Sequence, residues 1–350
     1  MSKVMFALII IMIFMAGALF SYIWVVGYYF SLELKVPEKP TVSICSFEAS
    51  ADNPTFFNIT VLNPTFAPRA AEILGISVLA GENKAYRVLS TEPPIPSGGY
   101  RLELGSSKTF KCFWTWANYT GQSISVMVHV KDGSGAVFTA TLPLVAVEIE
   151  RLEFDPNHGE RFGVSIRNGE KSTISVDLKS IKVIVDGSEY EVKSRPTLPF
   201  KLDPNVSLSL TCEWNWATHQ GRNVTVIVGT SQGYIGKRAS LIPIYAVFNV
   251  SQIAFNPNNT SFFSITVVNS PKSLIALNVT EAIIRLENGS IIKPSKIIPE
   301  LPYILEVGSE ITFICEWNWA PYSGREITII INTGQGYNSS LRYVIPLLPE

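Results

Sequence analysis

Hydrophobic positions follow two patterns along this chain, and the change comes near residue 40. From Val4 to Phe30 every residue is uncharged and most are strongly apolar, a run of 27 residues. At about 1.5 Å per residue, a helix of that length exceeds a hydrocarbon core of ~30 Å. The run predicts a transmembrane helix over 4–30 followed by a juxtamembrane linker over 31–40. Trp24, Tyr28 and Tyr29 suit the far membrane–water interface, and Lys3 favours a cytoplasmic N-terminus. Two other readings stand beside the anchor: a signal peptide cleaved after Ala16-Gly17-Ala18, and a pilin-type leader. All three send the chain beyond about residue 31 out of the cytoplasm.

After residue 40 the period becomes two. FNITVLN (Phe57–Asn63), FGVSIRN (Phe162–Asn168) and FSITVVN (Phe263–Asn269) alternate apolar and polar residues, as do SISVMV, NVTVIV and EITIII further on. These blocks recur in the same order three times, each ending on a turn (KDGSG, TSQGY, TGQGY) and a strand with proline near its end. Self-similarity at about a hundred residues sets the organisation before any local motif. Three repeats follow, 41–145, 146–246 and 247–350, each of some seven short strands, predicting tandem all-β sandwiches of immunoglobulin-like type. The joints LPLVAVEIE and IPIYAVFNV contain no Gly/Ser spacer, which predicts a stiff rod.

The most specific repeat is CFWTW at Cys112–Trp116, returning as CEWNW at Cys212–Trp216 and Cys315–Trp319. On a strand, Phe110, Cys112, Trp114 and Trp116 share one face, as do Leu210, Cys212, Trp214 and Trp216, and Phe313, Cys315, Trp317 and Trp319. This predicts an inner strand whose paired tryptophans fill the space between sheets. A Trp-lined ligand platform is the competing reading. Cys112, Cys212 and Cys315, equivalent across repeats, are expected as buried small hydrophobes. Cys45 has no counterpart, Glu150 and Ser251 taking its place, so a Cys45–Cys112 disulfide and a free thiol both stand.

Charge narrows the partners. The net charge is −1 and charged residues are only 16% of the chain, so no basic face is available for nucleic acid. Half of the 20 asparagines lie in Asn-X-Ser/Thr, at Asn58, Asn118, Asn205, Asn223, Asn249, Asn258, Asn259, Asn278, Asn288 and Asn338. That enrichment makes them glycosylation candidates on an exported surface.

Chemistry is harder to find. Gly229–Gly233, GTSQG, matches the serine-hydrolase pattern around Ser231 but sits in a β-turn rather than a strand-to-helix elbow. His129, His158 and His219 fall at unrelated repeat positions, and no cluster has metal-ligand spacing. FDPNHGE (Phe154–Glu160) and FNPNNTS (Phe255–Ser261) carry too few carboxylates for a calcium loop. No catalytic residue, cofactor or metal is expected.

FGVSIRNGEKSTISV and FSITVVNSPKSLIAL, with the following VDG or ENG hairpin, resemble the CARDB-type and related immunoglobulin-like domains of archaeal and bacterial surface proteins. The resemblance spans about residues 41–350 and implies an adhesion or envelope-assembly module, with accessory parts of archaeal surface filaments as a special case. The expectation is a membrane-anchored, glycosylated, extracellular structural or adhesion protein with an envelope-protein partner or homotypic contacts. The alternatives are a carbohydrate or peptide receptor, using the tryptophans or the segment Glu92–Tyr100, and a secreted filament subunit.

Overall fold

The computed structural model of the chain describes residues 3–31, 41–82 and 84–348. The apolar run forms one helix, Lys3–Ser31, whose span Val4–Val26 has no buried residue. The side chains of Tyr28 and Tyr29, and the linker expected over 31–40 apart from Ser31, lie outside the described residues. The rest of the described chain is all-β, with short 3-10 turns. It divides into two units, Met1–Pro143 and Leu144–Glu350.

The first unit contains one pair of sheets. One runs in the order Ser43–Glu48, Phe56–Leu62, Ser107–Phe113, Ser90–Glu92. The other runs Lys84–Arg87, Ala71–Ala80, Ser123–Val130, Ala136–Thr141, with Tyr100–Leu102 also on Ala71–Ala80. The second unit repeats this plan twice. Val147–Glu153, Arg161–Asn168 and Ser207–Glu213 answer to Phe248–Asn256, Asn259–Asn269 and Glu310–Glu316 in one sheet. Val176–Val185, Asn223–Thr230 and Ile235–Leu241 answer to Leu277–Leu286, Glu326–Thr333 and Asn338–Val344 in the other. Each pair is an immunoglobulin-like sandwich, and every strand ladder in it is antiparallel.

The period-two pattern explains the packing. Phe57, Ile59 and Val61 are buried with Phe162, Val164 and Ile166, and with Phe263, Ile265 and Val267. Their strands pair in one register, so that Phe57 lies opposite Cys112, Phe162 opposite Cys212 and Phe263 opposite Cys315. In each repeat the first, edge strand is bulged at the same place: Ile44/Ser46, Ile149/Arg151 and Val250/Gln252. A bulge twists an edge and discourages pairing with foreign strands.

The fourth strand distinguishes the repeats. In the second, Ser188–Arg195 is continuous and changes sheet midway: Ser188–Val192 pair with Val176–Val185, while Lys193–Arg195 pair with Ser207–Glu213. In the first repeat that passage is broken into Lys84–Arg87 and Ser90–Glu92, and Leu89 at the break is 89% exposed.

One polar residue occupies a core position in all three sandwiches. Asn63, Asn168 and Asn269 close the alternating strands on their inward face and are fully buried. Each Nδ2 donates to two backbone carbonyls: Arg69 and Leu102, Ile174 and Leu202, Ile275 and Leu305. The side chain thus ties a loop to the short strand of the opposite sheet, which satisfies groups that burial would otherwise leave unpaired.

Candidate functional site: the tryptophan motif and the sandwich joint

The strands that carry the cysteines stop at Phe113, Glu213 and Glu316, before the first tryptophan. The expectation of an inner strand bearing both rings is therefore corrected. The motif leaves the sheet and turns into a 3-10 helix at Ala117–Tyr119, Trp216–His219 and Ala320–Tyr322. The physical reason common to all three is bonding of the motif to the segment that leads into the alternating strand: Trp116 N donates to Pro54 O, Ala217 N to Gly159 O and Trp319 N to Thr260 O. In the second and third repeats Asn215 Oδ1 and Asn318 Oδ1 support the turn by accepting from Ala217 N and Ala320 N.

The two rings have different jobs. The second, Trp116, Trp216 or Trp319, is fully buried, and its indole Nε1 donates to Phe56 O, Arg161 O or Phe262 O at 2.8–3.1 Å. It clamps the crossover to the strand that carries the buried asparagine. Trp114 and Trp214 are half-buried and Trp317 is 9% exposed. Each stacks on the aromatic five residues later, Tyr119, His219 or Tyr322, with centroids 5.1–5.3 Å apart. Phe57, Phe162 or Phe263 meets the ring edge-on. Tyr86 and Tyr190 pack beside Trp114 and Trp214. Each outer ring is thus packed against aromatics of its own sandwich.

His219 takes the place of Tyr119 and Tyr322, a position held by neither His129 nor His158. Among the described residues no group of His, Cys, Asp and Glu converges as metal ligands. Asp155 serves its own loop: a bond from Asn157 N, then one from His158 Nδ1, holds its carboxyl below the usual range. Ser231 lies in a β-turn, its amide donating to Asp177 O.

That turn matters for another reason. In the third repeat the same turn, Thr333–Tyr337, docks into the far end of the second sandwich, inside one unit. Gly159 N donates to Gln335 O at 2.6 Å and Asn215 Nδ2 to Gly336 O at 3.2 Å. The Tyr337 ring meets Trp216 edge-on at 6.1 Å, and its hydroxyl donates to Pro156 O at 3.0 Å. Tyr337 is 3% exposed, and burial pushes its phenol well above the ordinary value. A methyl group on Gly159 would lie 2.5 Å from Ala217 Cβ and 2.6 Å from Gln335 O, so this position admits only glycine without a shift. The connecting segment is bonded too, with Gln220 Oε1 accepting from Tyr245 N and Ala246 N. The turn sequence TGQGY was legible as a turn, but nothing in it announced a plug.

All four cysteines are free, Cys45 exposed and the other three buried. Strand Phe56–Leu62 stands between the strands of Cys45 and Cys112, and Cys45 sits in the edge bulge facing outward, so the disulfide is not formed. Burial pushes the thiols of Cys112, Cys212 and Cys315 up to about 12. Of the glycosylation candidates, Asn118, Asn205, Asn223, Asn249, Asn258, Asn259, Asn288 and Asn338 are exposed, whereas Asn58 and Asn278 are half-buried. The segment Glu92–Tyr100 borders a groove of about 380 Å³ whose lining mixes Leu74, Leu89 and Ile95 with Arg87, Ser90 and Thr91.

No family model matches the chain, and no curated protein matches it. Among solved structures it is similar to the archaeal flagellum of Methanospirillum hungatei strain JF1 at 15% identity, covering 41% of this chain and 94% of that one, with a TM-score of 0.25. The chicken CNTN1 FN1–FN3 domains are 8% identical over 88% of this chain and 99% of theirs, TM-score 0.24. The N-terminal eight Ig domains of Down Syndrome Cell Adhesion Molecule are 14% identical, covering 88% of this chain and 40% of that one, TM-score 0.29. At these scores the likenesses carry no functional inference.

Proposed function

We propose that this protein is a single-pass, glycosylated cell-surface protein whose sandwiches are a non-catalytic structural or adhesive ectodomain of CARDB-type kind. The observation that carries the reading is the 29-residue apolar helix Lys3–Ser31, unburied over Val4–Val26, followed only by sandwiches whose aromatic motif is spent on internal packing. The length and apolar surface of Val4–Val26 match a hydrocarbon core. The close-packed joint at Tyr337 supports a mechanical role, and the exposed sequons support a glycan coat. Intact mass of the chain extracted from native membranes tests the proposal. A mass retaining residues 1–30 plus glycan supports it, whereas a chain starting after Ala18 or carrying no glycan refutes the corresponding part.

A second reading, recognition of an extended peptide or a glycan by the first sandwich, is favoured by the groove beside Leu89, where Arg87, Ser90 and Thr91 set polar groups among the apolar ones. Its signature is a ligand-induced change in exchange at Val88–Ile95 with the tryptophan emission unmoved.

A further inference from the structure

The second and third sandwiches provide an internal control for the first. In them the turn glutamine folds back: Gln232 Oε1 accepts from Asp177 N, and Gln335 Oε1 from Asn278 N. Asp132 stands at that place in the first sandwich, and a pocket of about 260 Å³ opens there, lined by Arg69, Glu72, Arg101, Lys131 and Asp132. The shared register gives the counterparts of its three cations. Arg69, whose carbonyl accepts from the buried asparagine, answers to Ile174 and Ile275. Arg101, opposite Glu72, answers to Lys201 and Ile304. Lys131, bonded through its amide to Glu72 O, answers to Ser231 and Gly334. Three cations thus converge only in the first repeat.

Their position in the fold is specific. The pocket lies at the end of the sandwich where the chain comes in, because Thr41 bridges to Ser134 in the same turn. In the third repeat the corresponding end docks on the preceding sandwich through Gln335, Gly336 and Tyr337. In the first repeat the preceding element along the chain is the apolar helix. Nine residues separate Ser31 from Thr41, which limits the span between them to about 35 Å. Lys131 binds Glu72 at 3.0 Å and Arg101 binds Glu103 at 2.7 Å, leaving all five lining side chains near solvent. The Lys131 hydrogen bond, with Arg101 and Arg69 adding their charge, holds the Glu72 carboxyl below its ordinary value. With Glu72, Asp132 and Glu103 present the cluster has no large net charge, so attraction must come from directed N–H groups rather than a long-range field.

We propose that this pocket is a headgroup site, in which Arg69, Arg101 and Lys131 hold the phosphate of a membrane lipid and seat the first sandwich on the bilayer. The proposal rests on the helix being a membrane anchor, which flotation of the full chain with vesicles tests separately. Hydrogen exchange is then measured on the full chain in phosphatidylglycerol nanodiscs and in nanodiscs of a phosphate-free glycolipid. Exchange at residues 131–134 is expected to be about tenfold slower in the phospholipid discs. The Arg69→Gln/Arg101→Gln double variant should abolish the difference, both side chains being surface groups outside the core. The turns 231–234 and 334–337 should exchange alike in both discs. Equal rates at 131–134 in the two discs, or protection that survives the double variant, overturn the proposal while leaving a floating chain anchored. Protection reproduced by millimolar inorganic phosphate in phosphate-free micelles overturns the lipid source in favour of a free anion. Failure to float overturns both.

Discussion

The hydroxyl of Tyr337, in the third sandwich, donates to the carbonyl of Pro156, in the second, at 3.0 Å, although 181 residues separate the two in sequence. This bond fixes the tip of a ring that is otherwise held by Trp216 and by the turn itself, where Tyr337 N donates to Thr333 Oγ1 and Thr333 Oγ1 to Tyr337 O. Tyr337→Phe keeps the packing and loses the bond, for an expected cost of about 1 kcal/mol. Tyr337→Ala removes the ring as well, and about 3–5 kcal/mol is expected. Urea unfolding of the two variants against the parent separates the two contributions.

The same residue gives a pH dependence. Burial raises the folded-state phenol, so phenolate forms more readily in the unfolded chain. The stability this contributes is complete below the ordinary value of 10 and is lost as pH rises from there toward the raised folded value. The buried cysteines add an overlapping loss that begins at 9 and runs to about 12. Melting temperature is expected to fall with pH from about 9 upward, and Tyr337→Phe should flatten the part above 10. A slope unchanged in that variant would assign the whole effect to the thiols.

Gly159 is where the joint comes closest. An alanine there must displace either Ala217 or the Gln335 backbone, and 1–3 kcal/mol is the expected magnitude for such overpacking. Gly159→Ala should also speed exchange at 334–337 while leaving the cores of both sandwiches protected. In the register that sets Phe162 opposite Cys212 and Phe263 opposite Cys315, the equivalent place in the third repeat is Thr260. The third repeat therefore cannot present the same close-fitting socket.

Much of this architecture was legible in the chain because alternation and repetition are local signals. Phe57, Ile59 and Val61 announce their buried face by spacing alone, and the copies at Phe162 and Phe263 confirm the register. The CxWxW run was read as more strand because its alternation continues unbroken. What ended the strand was bonding of the motif to the segment before the alternating strand, at Pro54, Gly159 and Thr260, a competition that periodicity cannot show. Asn63, Asn168 and Asn269 were in view as the last letter of each matching block. Their polar character at an inward position was the available sign of a cross-sheet tie. The docking of Tyr337 against Trp216 depends on how two repeats meet, and a pattern within one repeat is silent about that.

The buried asparagines offer a direct test of that tie. Asn168→Leu keeps the volume but leaves the Ile174 and Leu202 carbonyls without their shared donor. At about 1–3 kcal/mol for buried groups left unpaired, equilibrium unfolding should show a loss in that range. Asn168→Asp is expected to be worse, since a carboxylate would face two carbonyl oxygens in a site with no exposure to water. If the aspartate variant matched the parent, the amide would not be the tie described here.

His219 reports on the outer tryptophan. Its ring lies parallel to Trp214 within 9°, at 5.1 Å, where the other repeats have tyrosine. The stacked ring covers one face of the outer indole. His219→Ala removes that cover, so tryptophan emission should move to the red and iodide should quench it more than in the parent. His219→Tyr restores the aromatic found in the first and third repeats, so the parent's emission should be retained with stability unchanged or slightly raised. Because Trp116, Trp216 and Trp319 are sealed, their share of the emission should resist iodide in parent and variants alike. Emission and quenching unchanged in His219→Ala would remove the stacking account.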